Sequence, residues 1–172
     1  MLTPLDVAVL LHLKLHPDDA YAVIAGKLGI GRSTAHASVA RLVRSGLAFA
    51  SRRSTAVVAD GPMREFLVHG VPYAFAPDTV PRARGVVTGF RALPDVMQRE
   101  LLDPLPLVWP SPLGEDTGIG VEPLVPGAPD LRHRDPKLYR LLALLDSLRL
   151  ADAREREVAR RALDEELASI ES

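Results

Sequence analysis

The sequence contains no cysteine and no asparagine, and aromatic residues make up only 5% of its 172 positions. Without cysteine the chain has no thiol nucleophile, no disulfide and no thiolate zinc site. It also lacks an apolar run near the ~18 residues that a membrane-spanning helix needs, and its start is not a basic, signal-like segment. We therefore expect a cytoplasmic protein that makes no contact with a membrane.

Recognisable catalytic motifs are also missing. The Gly29-Ile30-Gly31 turn lacks the third glycine of a dinucleotide-binding loop and the Lys-Ser/Thr of a P-loop. His12 and His16 have a spacing that suits a metal ion, but no acidic residue lies between them as in an H-E-x-x-H motif. We expect two ordinary helix histidines, with no catalytic residue, no metal and no cofactor. The protein is therefore not expected to be an enzyme.

What the sequence does contain is an uneven distribution of charge and of proline. The net charge is -1, yet residues 1–60 hold seven Lys and Arg against four Asp and Glu. The rest of the chain holds fourteen against eighteen. Thirteen of the 15 prolines lie from Pro62 to Pro136, which favours long helices in the two flanks. The predicted regions are a basic domain over 1–60, a Pro/Gly-rich α+β or irregular segment over 61–134, and a C-terminal helical region over 135–172.

The first helix of the basic domain is predicted to begin directly after an N-cap residue, Thr3. Thr3 suits the N-cap position and Pro4 the first helical position, and the helix runs to about His16. Its apolar residues form two faces, which is typical of a helix that packs on one side against its own core and on the other side against a second surface. A partner subunit is the natural candidate for the second contact. We expect this helix and the C-terminal helices over 135–172 to form a homodimer.

Two more helices and a hairpin are predicted to follow. Asp18 can cap the second helix, which reaches about Leu28. The third helix spans 32–45, and Gly46 ends it. The inward residues of the two helices are expected to be Ala22, Ile24, Ala25, Leu28, Ala35, Val39 and Leu42. The predicted strands are Leu47–Ser51 and Thr55–Ala59, joined by a basic tip with Arg52 and Arg53.

The middle segment gives weaker patterns. Because a long structureless stretch is unlikely inside a compact domain, we expect irregular structure pinned to the helices, with Trp109 as a buried anchor. Its predicted elements are a short helix at Pro62–His69, strands at Val71–Phe75, Gly85–Phe90 and Gly118–Val121, and a helical turn at Pro94–Leu101. The last segment, Asp135–Ile170, is predicted to be helical.

Helix, glycine turn, helix and a Gly-Leu exit into a basic hairpin form the pattern of a winged helix-turn-helix. The residues that carry this pattern are Ile24-Ala25, Leu28-Gly29-Ile30-Gly31, Ala35, Val39, Leu42 and Gly46-Leu47. With these residues, the chain over 3–60 resembles the MarR-like bacterial transcriptional regulators. It departs from them at Gly31, where the usual serine hydroxyl that often contacts phosphate is missing. The resemblance implies a mainly α protein with a small β-wing.

The outward face of the third helix is suited to the major groove of DNA. Short polar side chains let a helix enter a groove ~12 Å wide, and basic ones reach base edges or phosphates. The predicted groove residues are Arg32, Ser33, Thr34, His36, Ala37, Ser38 and Arg41. The predicted phosphate-binding residues are Lys27, Arg44, Arg52 and Arg53. We therefore expect a sequence-specific transcriptional regulator that binds double-stranded DNA as a dimer.

A second interpretation stays open. The segments FLVHGVPYAF, VWPSP and LYRLLALLDSLR are similar to a group of bacterial helix-turn-helix proteins whose genes neighbour those of nucleotidyltransferase-type toxins. That similarity implies an antitoxin-like or adaptor protein. Its C-terminal half would bind a partner protein, and its DNA binding would serve only autoregulation. Binding of a small effector to residues 70–134 is also left open.

Overall fold

The protein, seen here as a computed structural model, is described over residues 1–100 and 104–170. Helices make up 59% of it, and the strands form two small sheets. None of the helices in these ranges is both long and apolar enough to cross a membrane. The helices are α1 Pro4–Leu15, α2 Tyr21–Leu28, α3 Arg32–Arg44, α4 Asp60–Glu65, α5 Val71–Ala74, α6 Pro94–Glu100, α7 Ala128–Arg134, α8 Pro136–Leu150 and α9 Ala153–Ile170. The strands are β1 Ala48–Ala50, β2 Ala56–Val58, β3 Thr79–Thr88, β4 Leu107–Pro110 and β5 Asp116–Val121.

The first three helices and the hairpin follow the sequence prediction closely. Thr3 is the N-cap of α1, and its backbone N–H donates to the Asp6 carboxylate at 2.7 Å. Gly29 ends α2 with φ 67°, and Gly46 follows α3 with φ 76°, so both turns use the left-handed region that favours glycine. β1 and β2 then pair as an antiparallel hairpin.

The start of α2 differs from the prediction. Asp18 does not cap this helix, because the N-cap is Ala20 and no side chain caps it. Ala22 is exposed, whereas the other three predicted inward residues of α2 are buried. In the turn before α2 it is Asp19, next to Asp18, whose carboxylate makes the contacts. It binds His12 on α1 and Lys27 on α2.

The middle segment is more regular than the sequence predicted. The predicted strand at Val71–Phe75 is wrong, because a π-helical turn at Phe66–Gly70 carries the chain from α4 directly into α5. The other two predicted strands overlap β3 and β5. α6 covers the predicted helical turn as far as Glu100, and Leu101 lies outside the described residues. Trp109 is buried, as predicted, within β4.

The strands β3, β4 and β5 form a closed ring. β3 pairs antiparallel with both β4 and β5, and β4 pairs parallel with β5. The strands of this ring lie so close together that only glycine fits at two positions. A Cβ at Gly118 would lie 1.9 Å from the carbonyl oxygen of Pro106. One at Gly85 would lie 1.9 Å from the carbonyl oxygen of Trp109. The sequence predicted short strands beginning at Gly85 and Gly118, but glycine is depleted in ordinary strands and the pattern did not predict a closed ring.

The core is organised around α8. Its N-cap is Asp135, whose carboxylate accepts a hydrogen bond from the backbone N–H of Leu138 at 3.1 Å. α8 packs against α1, α5, α7 and α9. Residues 6–13 of α1 are all buried, with α3 and α8 as its main neighbours. The second apolar face of α1 is thus covered by the same chain, and not by a partner subunit as expected from the sequence.

A buried carboxylate ties α8 to the closed ring. Asp146 accepts hydrogen bonds from Thr88 Oγ1 at 2.8 Å, from Trp109 Nε1 at 2.6 Å and from Arg149 Nη1 at 2.7 Å. Complete burial raises the pKa of Asp146 above its ordinary value, while the Arg149 charge and these hydrogen bonds oppose the rise. Arg149 also donates to the carbonyl oxygen of Phe75 at 2.8 Å. One side-chain cluster therefore joins α8, β3 and β4.

Candidate nucleic-acid interface

The helix α3 exposes one face along its length. Ala35, Val39 and Leu42 are buried as predicted, and they recur at the spacing of one side of a helix. The predicted groove residues that are exposed are Arg32, Ser33, Thr34, His36 and Ala37. The ring of His36 lies 4.9 Å from the ring of Tyr21 on α2, a neighbour that the sequence analysis did not single out.

Ser38 and Arg41 are turned to the protein instead of to solvent. Ser38 is fully buried, and its hydroxyl donates to Asp6 Oδ1 at 2.6 Å. Arg41 donates two hydrogen bonds to the same carboxylate, from Nε to Oδ2 at 2.9 Å and from Nη2 to Oδ1 at 2.7 Å. Ser38 lies three residues after Ala35 on the buried stripe, so its prediction as an outward residue is wrong. The guanidinium of Arg41 forms an ion pair with Asp6 inside the protein.

Ser38 and Arg41 both face the interior because they donate hydrogen bonds to Asp6. This carboxylate lies fully buried on α1, and a buried charge requires donors around it. Burial alone would raise its pKa, but hydrogen bonds from Arg41, Ser38 and the Thr3 backbone outweigh that effect and hold the pKa below its ordinary value. Asp6 is therefore ionised at neutral pH. The cluster fixes α3 against α1, and so it sets how the outward face of α3 is presented.

Lys27, a predicted phosphate-binding residue, is also paired within the protein. Its Nζ lies 2.9 Å from Asp19 Oδ2, and its side chain is 37% exposed. The backbone carbonyl of Asp19 accepts a hydrogen bond from Thr55 Oγ1 at 2.7 Å. The turn before α2 is thus bound to the end of the hairpin.

The remaining positive charge of the first sixty residues is concentrated on α3 and the hairpin tip. Three of the four acids there are paired: Asp6 with Arg41, Asp19 with Lys27, and Asp60 with Lys14. Four exposed arginines have no ion pair within the described part of the chain; they are Arg32, Arg44, Arg52 and Arg53. The sequence count of seven bases against four acids did not show which charges remain free, because that depends on pairing between helices.

Two further features of this region were missed by the sequence analysis. Phe49 and Val57 lie opposite each other in the hairpin, 61% and 53% exposed. The hydroxyl of Ser51 accepts hydrogen bonds from the backbone N–H groups of Arg53 and Ser54, both at 3.1 Å, and so orders the tip. The exposure of Phe49 could have been predicted from the alternation of side chains along a strand, since its neighbour Ala48 is buried.

The amino terminus of α3 carries no side-chain cap. Its N-cap is Gly31, which has no side chain to accept from the first backbone N–H groups of the helix. Those donors therefore lie beside Arg32 at an exposed end of the helix. Comparison of the chain with models of known protein families, with curated proteins and with solved structures gives no match.

Proposed function

We propose that the protein is a transcriptional regulator that binds double-stranded DNA, with residues 1–60 as a winged helix-turn-helix domain. The observation that carries the proposal is the pairing of charges. Lys14, Lys27 and Arg41 are bound to acids, while the exposed arginines are left on α3 and at the tip of the hairpin. In a winged helix-turn-helix these are the two elements that contact DNA.

The first two turns of α3 suit the major groove. Ser33, Thr34 and Ala37 are short and exposed, so the helix can lie deep in the groove without a steric clash. Arg32 and His36 are also exposed and carry hydrogen-bond donors for base edges. Recognition helices contact bases chiefly through their amino-terminal residues, which agrees with this distribution.

The phosphate contacts are assigned to other groups. Arg44 lies at the end of α3, and Arg52 and Arg53 lie at the hairpin tip, where a guanidinium reaches the backbone or the minor groove. The uncapped amino terminus of α3 offers backbone N–H groups to a phosphate as well. These contacts supply affinity without sequence information, and they make the affinity depend on salt.

We also propose that two copies bind one site. A single recognition helix contacts few base pairs, and helix-turn-helix dimers gain specificity by reading two half-sites about one helical turn apart. Since α1 and α8 are buried within one chain, the contact between copies would lie on other surfaces. The symmetry of the DNA site is therefore the evidence that decides this part of the proposal.

Selection of bound fragments from a random duplex library, carried out at two salt concentrations, tests both parts. We expect an enriched motif with two inverted half-sites about 10 base pairs apart. A single, unsymmetrical motif would support sequence-specific recognition of DNA and would contradict the proposal that two copies bind one site. No enrichment, with binding lost at moderate salt, would contradict sequence-specific recognition and favour the adaptor interpretation, in which a partner protein co-purifies.

A further inference from the structure

Two histidines and a carboxylate come together at the junction of α1 and α8. His12 and His16 stand on successive turns of α1, with ring centroids 4.9 Å apart. Asp135, the N-cap of α8, joins them from a position 119 residues further along the chain. One ring nitrogen of each histidine and one carboxylate oxygen of Asp135 lie within 4.8 Å of one another.

His12 has a nitrogen without a partner. Its side chain is fully buried, and Nδ1 makes no hydrogen bond. Its other nitrogen, Nε2, lies 3.0 Å from Asp19 Oδ2, an oxygen that also accepts from Lys27. A carboxylate accepts and does not donate, so in the neutral ring the proton lies on Nε2 and Nδ1 keeps a bare lone pair. A buried polar atom in this state is unfavourable and rare, and a bound cation would satisfy it.

We propose that His12, His16 and Asp135 form a binding site for a divalent transition-metal ion, with Zn²⁺ as the best-fitting example. Two imidazoles and one carboxylate suit Zn²⁺ and its neighbours, whereas Mg²⁺ and Ca²⁺ prefer oxygen ligands alone. Asp19 supports the assignment, because a histidine that binds a metal almost always donates its other ring N–H to a carboxylate. This proposal does not depend on DNA binding.

Binding of an ion requires an adjustment of the three ligand atoms, which lie within 4.8 Å of one another. A tetrahedral ion about 2.1 Å from each ligand places the ligand atoms about 3.4 Å apart. His16 Nε2 now bonds Asp135 Oδ2 at 2.7 Å, and the ion would replace that contact. The other oxygen of Asp135 accepts from the backbone of Leu138, so α8 keeps its cap. The His16 side chain is 30% exposed, which gives the ion a path from solvent.

A bound ion would join distant parts of the chain. It would link α1 to the start of α8, and through Asp19 it would reach Lys27 on α2 and Thr55 at the hairpin. Because an ion that binds only the folded protein stabilises it by mass action, we expect the unfolding temperature to rise with the concentration of Zn²⁺. The sequence showed only the histidine pair, since the third ligand lies in another region.

The test uses tag-free full-length protein that has been stripped with EDTA. Zn²⁺ alone is titrated by calorimetry, and Co²⁺ alone is followed by visible absorption. We expect one ion per chain and the intense absorption of tetrahedral Co²⁺. His16→Ala is expected to bind at least 10-fold more weakly, while His69→Ala, which removes an exposed histidine elsewhere, is expected to bind normally.

Asp135→Asn serves as a second variant, because asparagine retains the capping group of α8 and removes the charged ligand. Circular dichroism establishes that each variant is folded before it is titrated. Failure of the wild-type protein to bind Zn²⁺ or Co²⁺ would overturn the proposal. Equal binding by wild type, His16→Ala and Asp135→Asn would overturn it as well, because the ion would then lie at another place.

Discussion

Replacing Arg32, Arg52 and Arg53 together with alanine is expected to lower the affinity for a selected DNA duplex by at least about 100-fold. One base contact by arginine contributes about 1–3 kcal/mol, and each lost phosphate contact reduces the salt slope by about one unit. All three side chains are exposed and make no ion pair in the ranges that the structure describes, so the variant should keep its stability. Fluorescence anisotropy over a salt series measures both effects.

The matched control replaces Arg134, Lys137 and Arg154, which are exposed on α7, α8 and α9 and likewise make no ion pair in the described ranges. It changes the net charge by the same amount, and we expect it to bind DNA nearly as well as wild type. Equal losses in both triple variants would mean that only overall charge matters, which contradicts the proposed interface. Arg41 is left out of the variant, because its loss would leave the buried Asp6 carboxylate unpaired and weaken the fold.

Asp146→Ala is expected to reduce the free energy of unfolding by about 3–5 kcal/mol. It leaves the buried Arg149 charge without its carboxylate, and breaking a buried ion pair in this way has an effect of that size. The hydroxyl of Thr88 and the indole N–H of Trp109 lose their acceptor at the same time. Since domains of this kind have about 5–15 kcal/mol of stability, a large share would be lost. Urea unfolding followed by tryptophan fluorescence measures the change.

Asp164→Ala provides the control for this prediction. Its carboxylate on α9 contacts Arg160 at 3.0 Å and Arg64 at 3.5 Å, but it is 38% exposed. Pairs of this kind contribute about 0–1 kcal/mol. An effect of Asp146→Ala as small as that of Asp164→Ala would show that the buried cluster does not hold α8 to the sheet.

The elements that the sequence predicted well are those with local determinants. The cap at Thr3 and Pro4, the glycines at the ends of α2 and α3, and the buried stripe of α3 all depend on residues within a few positions of one another. The closed ring of β3, β4 and β5 depends on pairing between distant strands and on glycines that usually interrupt strands. Local patterns cannot contain that information.

The same distinction applies to the sites. Helical periodicity was enough to place Arg32 and its exposed neighbours outward. Ser38 lies on the buried stripe, three residues after Ala35, and was placed outward only because its side chain is polar. Arg41 was placed outward because its partner, Asp6, lies on another helix. An aspartate in the first turn of a mostly apolar helix was the available clue, since a buried carboxylate must have hydrogen-bond donors around it. The third member of the histidine cluster could not be predicted, because Asp135 reaches α1 only through the packing of α8.

The most direct test of the central claim uses the absence of cysteine. A single cysteine at Ala37, on the exposed face of α3, can carry an iron–EDTA group that cleaves DNA close to it. On the selected duplex we predict cleavage within each half-site, with two centres about 10 base pairs apart. The same group at Ala76, an exposed position beyond α5, is predicted to give no localised cleavage. Equal or absent cleavage from the two positions would contradict the placement of α3 in the groove.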